Sequence, residues 1–157
     1  MIKVSIIIPL YNSEAYIAQT IGSCLAQTRR DIEIIVVENG STDKSCQVVK
    51  SIDDKRLSVF QIPTPNAAAA RNYGFQKATG AYILFLDADD VLALNKIELQ
   101  LKALSKKPEG WIGCCAWAKF KTNTKDAIIK PQKVWAIQNP IDWCLQSWMG
   151  EGMMIPG

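Results

Sequence analysis

The stretch GAYILFLDADD, residues Gly80–Asp90, joins an apolar run of strand length to a turn that holds three carboxylates. The run Tyr82–Leu86 predicts a strand, because every one of its residues is apolar. Three carboxylates packed into Asp87–Asp90 repel one another unless a cation lies nearby, and Mg²⁺ or Mn²⁺ binds such oxygens together with phosphates and water. The alternative interpretation is that Asp89 or Asp90 caps the helix that follows.

Predicted strands and helices alternate on both sides of this stretch. Apolar β-branched runs predict strands, and apolar residues at helical spacing behind a capping residue predict helices. The predicted strands are Lys3–Ile8, which Pro9 should end, Ile32–Val37, Leu57–Ile62, Tyr82–Leu86 and Trp111–Phe120, and the predicted helices start at Asn12 or Ser13, at Ser41 or Thr42, at Ala67 (to Lys77), at Leu94 (to Lys107) and at Asp142. The alternation predicts an α/β fold with a mostly parallel sheet flanked by helices.

Composition restricts the chemistry further. The 157 residues suffice for one domain with a core, and a net charge of +3 with interspersed signs gives no reason to expect nucleic acid as a partner. The sequence contains no histidine, which excludes Ser-His-Asp catalysis and histidine-ligated zinc. The five cysteines form no C-x-x-C pair and are expected to be reduced and mostly buried. No apolar run reaches the about 20 residues that span a bilayer, so the cytoplasm is the expected location.

Polar clusters follow three of the predicted strands. They are Tyr11-Asn12, Glu38-Asn39-Gly40 and the acidic turn, Asp87–Asp90. Because ligands of an open parallel sheet bind outside the carboxyl ends of its strands, all three clusters are expected at one binding edge. Tyr11 suits stacking on a nucleobase, although a half-buried loop aromatic is the alternative. Asn39 suits the edge of a base, and Glu38 suits a base N–H or a ribose hydroxyl.

Arg71 lies on the predicted third helix. Its guanidinium could grip a diphosphate or pair with the acidic turn, while an exposed helical arginine is the alternative. Other nucleotide folds lack support, because neither G-x-x-x-x-G-K-[ST] nor G-x-G-x-x-G follows the first strand.

Four motifs in this order resemble the family 2 glycosyltransferases. They are VSIIIPLYN (Val4–Asn12), IIVVENGSTD (Ile34–Asp43), AAARNYG (Ala68–Gly74) and GAYILFLDADD (Gly80–Asp90). The resemblance covers residues 1–115, expected to be a nucleotide-sugar-binding α/β subdomain. Residues 116–157 are expected to begin an incomplete acceptor-side subdomain.

The resemblance implies a GT-A (Rossmann-like) fold, a nucleotide-diphosphate sugar donor, commonly UDP-linked, and transfer with inversion to a glycan, lipid-linked or other hydroxyl acceptor. It also implies Mg²⁺ or Mn²⁺ as cofactor, which would neutralise charge on the leaving diphosphate. By motif position it assigns the nucleotide to Pro9, Tyr11, Glu14, Glu38, Asn39, Arg71, Asp87 and Ala88, and the metal to Asp89 with Asp87. Peripheral association with a membrane and a homodimer are left open.

Two positions depart from the family's pattern. Glu38-Asn39 stands where two aspartates are frequent, so the identity of the base is less constrained. Asn66-Ala67 stands where a glycine is frequent, and Asn66 is expected to supply left-handed geometry in its place.

The catalytic base is not evident. Inverting transfer needs a group that takes the acceptor's proton. The family's acidic motif is expected beyond Gly157, in which case the chain is truncated, and Glu151 is the nearest candidate within it. Trp143 and Trp148 suit an acceptor cleft, with core packing as the alternative. Two other functions remain as alternatives, a nucleotide-sugar-binding module without turnover and a metal-dependent nucleotidyltransferase.

Overall fold

The computed structural model describes residues 3–63, 65–107, 112–113, 115–121, 123–129 and 142. The chain divides into two compact units, Met1–Leu99 and Gln100–Gly157. The subdomain boundary near residue 115 stays a prediction. Over the described ranges, none of the helices has the length and apolar character required to span a membrane.

A four-stranded parallel sheet forms the first unit. Its strands are β1 (Val4–Leu10), β2 (Ile32–Glu38), β3 (Leu57–Gln61) and β4 (Tyr82–Phe85), and the described helices are α1 (Ile17–Leu25), α2 (Ser45–Lys50), α3 (Ala67–Lys77) and α4 (Lys96–Leu104). The strand order is β3-β2-β1-β4, and each neighbouring pair is parallel. The predicted α/β class is therefore confirmed. The order reverses between β1 and β4, which makes the carboxyl ends of these two strands the switch point where such sheets bind ligands.

Pro9 lies inside β1, so the prediction that it ends the first strand is wrong. Odd-numbered residues of β1 turn their backbone groups toward β4, since Leu86 N donates to the Ile7 carbonyl at 3.0 Å. Pairing between β1 and β4 ends at Ile7, opposite Phe85. The missing N–H of Pro9 therefore costs no ladder hydrogen bond, and the strand continues along β2 to Leu10.

The core on one face of the sheet forms where α3 covers β1 and β2. A buried cluster joins strand and helix residues, namely Ile7, Ile35, Val37, Ile62 and Ala70. Gly74 allows this close approach, because a Cβ there would lie 2.5 Å from Ile7 Cγ2. All seven residues of β1 are buried, so both faces of the sheet are covered.

Several predicted boundaries differ from the structure. The first helix begins at Ile17 instead of next to Asn12 or Ser13, and the second begins at Ser45. In both cases the capping residues form loop hydrogen bonds instead, as described below. Asn66 is extended, with φ −149°, so the predicted left-handed geometry there is wrong; its side chain caps α3 by accepting from Ala69 N.

The strand predicted over Trp111–Phe120 is also wrong for the residues described. Within 112–113 and 115–120, the ladder is reduced to a single antiparallel bridge between Lys119 and Ile128. β-branched and aromatic composition alone does not make a strand without a partner to pair with. Asp142 is the one described residue of the helix predicted over 142–148, so that prediction falls outside the described residues.

Candidate functional site

The three polar clusters lie, as predicted, at one edge of the sheet, where the strands β2, β1 and β4 end. The loops after β1 and β2 lie side by side, since β1 pairs with β2 to the last residue of each. The acidic turn follows β4 on the other side of β1. Arg71 on α3 connects to it directly. The site therefore surrounds the switch point between β1 and β4.

Asn39 joins three of these segments. Its backbone N–H donates to the Leu10 carbonyl at 3.1 Å. In the orientation that satisfies both ends of its amide, the side-chain nitrogen also donates to Leu10 O, and the oxygen accepts from Asn66 N at 3.2 Å. Asn39 is buried, so these bonds fix the end of β1 against the start of α3.

Glu38 is also committed to the local backbone. Its side chain is buried, and Oε1 accepts from the Gly40 amide at 2.8 Å and from the Ser41 amide. Gly40 has φ +96°, a backbone conformation that residues other than glycine rarely adopt, so the turn depends on this glycine. Glu38 thus holds the conformation of the β2 turn, Asn39–Ser41, through these two bonds. Its assignment to the nucleotide stays a prediction.

A second set of bonds links the loop after β1 to the loop after β2. Asn12 adopts φ +45°, which brings its side chain and those of its neighbours against the second loop. The bonds run from Asn12 N to Ser41 Oγ, Thr42 N to Asn12 Oδ1, Ser13 N to Ser45 Oγ, Glu14 N to Asp43 Oδ2 and Lys44 N to Glu14 Oε2, at 2.7 to 3.2 Å. The sequence motifs contained these residues but gave no sign that they bond to one another.

Glu14 and Asp43 both take part in these bonds between the two loops. Hydrogen bonds outweigh partial desolvation and lower the pKa of Asp43, whose other oxygen accepts from Ser45. The prediction that Glu14 lies around the base remains open, since one of its oxygens already accepts from Lys44 N. Pro9 is buried within β1, whereas Tyr11, the first residue after that strand, is 51% exposed. Tyr11 is therefore free to stack on a planar ligand.

The acidic turn carries the most charge at this edge. Arg71 Nη2 lies 2.6 Å from Asp87 Oδ1, and both side chains are half-buried, which rules out the alternative of an exposed helical arginine. Desolvation, reinforced by the charges of Asp87 and Asp89, raises the pKa of Asp90. α4 begins only at Lys96, so neither Asp89 nor Asp90 caps it and that alternative is wrong.

The donor set of the turn fits a hard divalent cation. Asp89 is exposed, Asp87 keeps one oxygen outside its ion pair, and the mutual repulsion of the three carboxylates is the condition that a cation relieves. Across the described part of the chain, no three ligating side chains converge on one point. A cation held by Asp87 and Asp89 would keep coordination positions for phosphate oxygens and water, as Mg²⁺ ordinarily does.

Three other candidates fall outside the described residues, and their roles stay predictions. They are Glu151, Trp143 and Trp148. Of the cysteines that are described, Cys24 is buried, Cys46 is half-buried and Cys115 is exposed. Burial raises the pKa of the Cys24 thiol to about 12, which makes it unreactive.

Comparison with known proteins places this geometry in a family. The model of Glycosyl transferase family 2 matches residues 5–146. An uncharacterized glycosyltransferase of Haemophilus influenzae is 50% identical over 101 residues, which are 62% of this chain and 40% of that protein. The chain thus spans less than half the length of this relative.

Solved structures share the fold. S. aureus TarS in complex with UDP is 32% identical with a TM-score of 0.61, over 66% of this chain and 32% of that one. A mannosyltransferase from Pyrobaculum calidifontis, in complex with GDP-Man and Mn²⁺, is 26% identical with a TM-score of 0.61 over the same shares. The GT-A fold implied by the motifs is confirmed. The chain belongs to glycosyltransferase family 2.

Proposed function

We propose that this chain is the donor-binding part of an inverting glycosyltransferase that takes its sugar from a UDP-linked donor and depends on Mg²⁺ or Mn²⁺. The observation that carries the proposal is the arrangement around the switch point. The exposed ring of Tyr11 lies on the β1 side, and the Arg71–Asp87 pair and exposed Asp89 lie on the β4 side. An aromatic face and a mixed charged site at one sheet edge suit the two ends of a nucleoside diphosphate.

The residues would divide the donor between them. Tyr11 would stack on the base, and the partly buried turn that Glu38 and Asn39 hold would present backbone groups to the base and ribose. Arg71 would hold a diphosphate oxygen, and Asp87 and Asp89 would hold the metal. The bound cation would stabilise the negative charge that develops on the leaving diphosphate.

Bound nucleotides in relatives support this choice of donor. TarS binds UDP in its crystal structure, and the archaeal mannosyltransferase binds GDP-Man with Mn²⁺. We propose a glycan or lipid-linked acceptor with a free hydroxyl, whose proton a carboxylate outside the described residues would take.

Calorimetric titration of UDP, with and without Mn²⁺, tests the donor site. We expect UDP to bind more tightly with Mn²⁺, and Asp89→Ala to abolish that gain, because the exposed carboxylate of the acidic turn is lost. GDP, titrated in parallel, should bind more weakly than UDP if the site is selective for uracil.

Asp53→Ala is the matched control. Asp53 is an exposed carboxylate in the connection that precedes β3, at the opposite edge of the sheet. Its loss should leave both affinities unchanged. The proposal would be contradicted if Mn²⁺ did not change the affinity for UDP and if Asp89→Ala bound UDP as tightly as the unmodified chain.

A further inference from the structure

Helix α1 and the residues just after it present three polar side chains to the segment that contains the acidic turn. Thr20 and Ser23 lie on α1, three residues apart and therefore on one face, and Gln27 lies two residues beyond the end of the helix. Thr20 and Gln27 are fully buried, although such residues are mostly exposed in proteins. Buried polar side chains such as these two require hydrogen-bond partners.

Each of these side chains bonds to backbone groups of the segment between β4 and α4, and Gln27 also bonds to the first turn of α4. Gln27 Nε2 donates to Ala93 O at 2.8 Å, and Gln27 Oε1 accepts from Ile97 N at 3.2 Å. Ser23 Oγ accepts from Leu92 N at 3.1 Å. The segment before α4 lacks regular secondary structure, so its backbone groups obtain from α1 and from Gln27 the partners that a helix or strand would have supplied.

Thr20 reaches the acidic turn itself. Its Oγ1 donates to the carbonyl of Ala88 at 2.8 Å, inside the molecule. Ala88 stands between Asp87 and Asp89, so fixing its carbonyl fixes the peptide plane from which the Asp89 side chain departs. The residue before the turn is held separately, because Leu86 N donates to Ile7 O.

We propose that Thr20 is a positioning residue for the divalent cation, because its hydroxyl holds the Ala88 carbonyl and thereby fixes the backbone between Asp87 and Asp89, the two residues that would hold the cation. The inference rests on the proposed function, since it presumes that these carboxylates bind the metal. Thr20 does not touch the cation. It acts through the backbone of the turn, so it should matter for metal affinity and much less for nucleotide binding without metal.

Two substitutions in the full chain separate the hydroxyl from the shape of the side chain. Thr20→Val keeps the branched shape and removes the donor, and Thr20→Ser restores a hydroxyl. We expect Thr20→Val to weaken Mn²⁺ binding, measured by calorimetry at saturating UDP, by about three- to tenfold, the range that one net hydrogen bond supplies. UDP affinity in the presence of a chelator should change by less than about twofold, and Thr20→Ser should recover most of the Mn²⁺ affinity.

Ser5→Ala is the control for a general loss of stability. Ser5 is also a fully buried hydroxyl, but it donates to Glu33 at the opposite edge of the sheet. It should lower the melting temperature and leave Mn²⁺ affinity unchanged. Should Thr20→Val not fold, Thr20→Cys takes its place, and because a thiol is only a weak donor we expect this variant to bind Mn²⁺ more weakly than Thr20→Ser.

The outcomes distinguish the two proposals. Mn²⁺ binding by Thr20→Val, or by Thr20→Cys in its place, that equals the unmodified chain would overturn the positioning role while leaving the proposed function intact. Equal weakening by Ser5→Ala would overturn it too, because stability alone would then explain the effect. An unmodified chain without Mn²⁺-dependent UDP binding would overturn the proposed function first.

Discussion

Glu38 shows that a carboxylate at the candidate site can form its hydrogen bonds with the protein's own backbone. Its side chain is 2% exposed, and one oxygen accepts from two successive amides, those of Gly40 and Ser41. Charge-assisted bonds of this kind are stronger than neutral ones. Any contact with a nucleotide would therefore come from the second oxygen or from the turn that Glu38 holds.

Substitution at Glu38 tests these two roles. Glu38→Ala leaves the partly buried Gly40 and Ser41 amides without their acceptor, and we expect it to lower the free energy of unfolding by about 1–3 kcal/mol. Glu38→Gln keeps an oxygen for both amides and should lose much less. Urea unfolding measures the stability, and UDP titration measures the affinity.

The comparison of the two variants shows whether Glu38 contacts the nucleotide or only supports the β2 turn. Weaker UDP binding by Glu38→Gln at nearly unmodified stability would indicate a direct contact with the nucleotide. An alanine variant as stable as the unmodified chain would contradict the structural role.

The places of the candidate residues in the fold could be predicted from the sequence, but their hydrogen-bond partners could not. Tyr11, Arg71 and Asp89 were predicted from their position after apolar strands and on the third helix. That Glu14 exchanges bonds with the loop holding Asp43 depends on the distance between two loops, about 30 residues apart in sequence. Periodicity describes one segment at a time and has no information on that distance.

At the scale of elements, the packing of α3 on β1 depends on a glycine. In an exposed helix, Gly→Ala is stabilising by up to about 1 kcal/mol. At Gly74 the added Cβ would meet Ile7 Cγ2 at 2.5 Å and Val37 Cγ2 at 3.3 Å. Overpacking of this kind costs about 1–3 kcal/mol, which exceeds the gain in helix propensity. We therefore expect Gly74→Ala to destabilise the chain, as measured by urea unfolding.

Gly22 provides the matched control within the same molecule. It lies in α1, where an added Cβ would find no atom within 4 Å. Gly22→Ala should stabilise the chain slightly, in the opposite direction to Gly74→Ala. Equal effects at the two positions would show that helix propensity and not packing decides both.

Elements were predicted well where one residue's local chemistry decides them. α3 runs from Ala67 to Lys77 as predicted, because Asn66 caps it with its own side chain. α1 and α2 begin later than predicted, because the nominal capping residues Asn12, Ser41 and Thr42 bond across two loops instead. Pro9 was misjudged because its missing N–H matters only on a side where a neighbouring strand still pairs.

At the scale of the whole molecule, the amino and carboxyl edges of the sheet have different tasks. Polar groups at the carboxyl edge are arranged around the switch point. At the amino edge, Lys3, Ser5 and Thr79 all donate to Glu33, and Glu33 binds the start of β1 to the connection before β4. The sequence predicted the first edge from its clusters of strand-end residues, whereas the second has no motif and became visible only in the structure.

The Glu33 network predicts how stability depends on pH. Burial alone would raise the pKa of Glu33, but the bonds from Lys3, Ser5 and Thr79 outweigh it and lower the pKa from 4.5 to about 2. A lowered folded-state pKa means that the proton binds more tightly to the unfolded chain. The stabilisation is therefore complete above about pH 4.5 and is lost as pH falls toward about 2.

Glu33→Gln isolates this contribution from that of other carboxyls, among them Asp31 and Asp54, whose pKa values are also lowered by hydrogen bonds from neighbouring arginines. The difference in unfolding free energy between the two chains should shrink by on the order of 2 kcal/mol between about pH 5.5 and about pH 2.5. That figure lies below the full value of the shift, because Lys3 is 42% exposed and water screens its charge. Urea unfolding across this range measures the difference, and a constant difference would mean that Glu33 contributes through shape and not through charge.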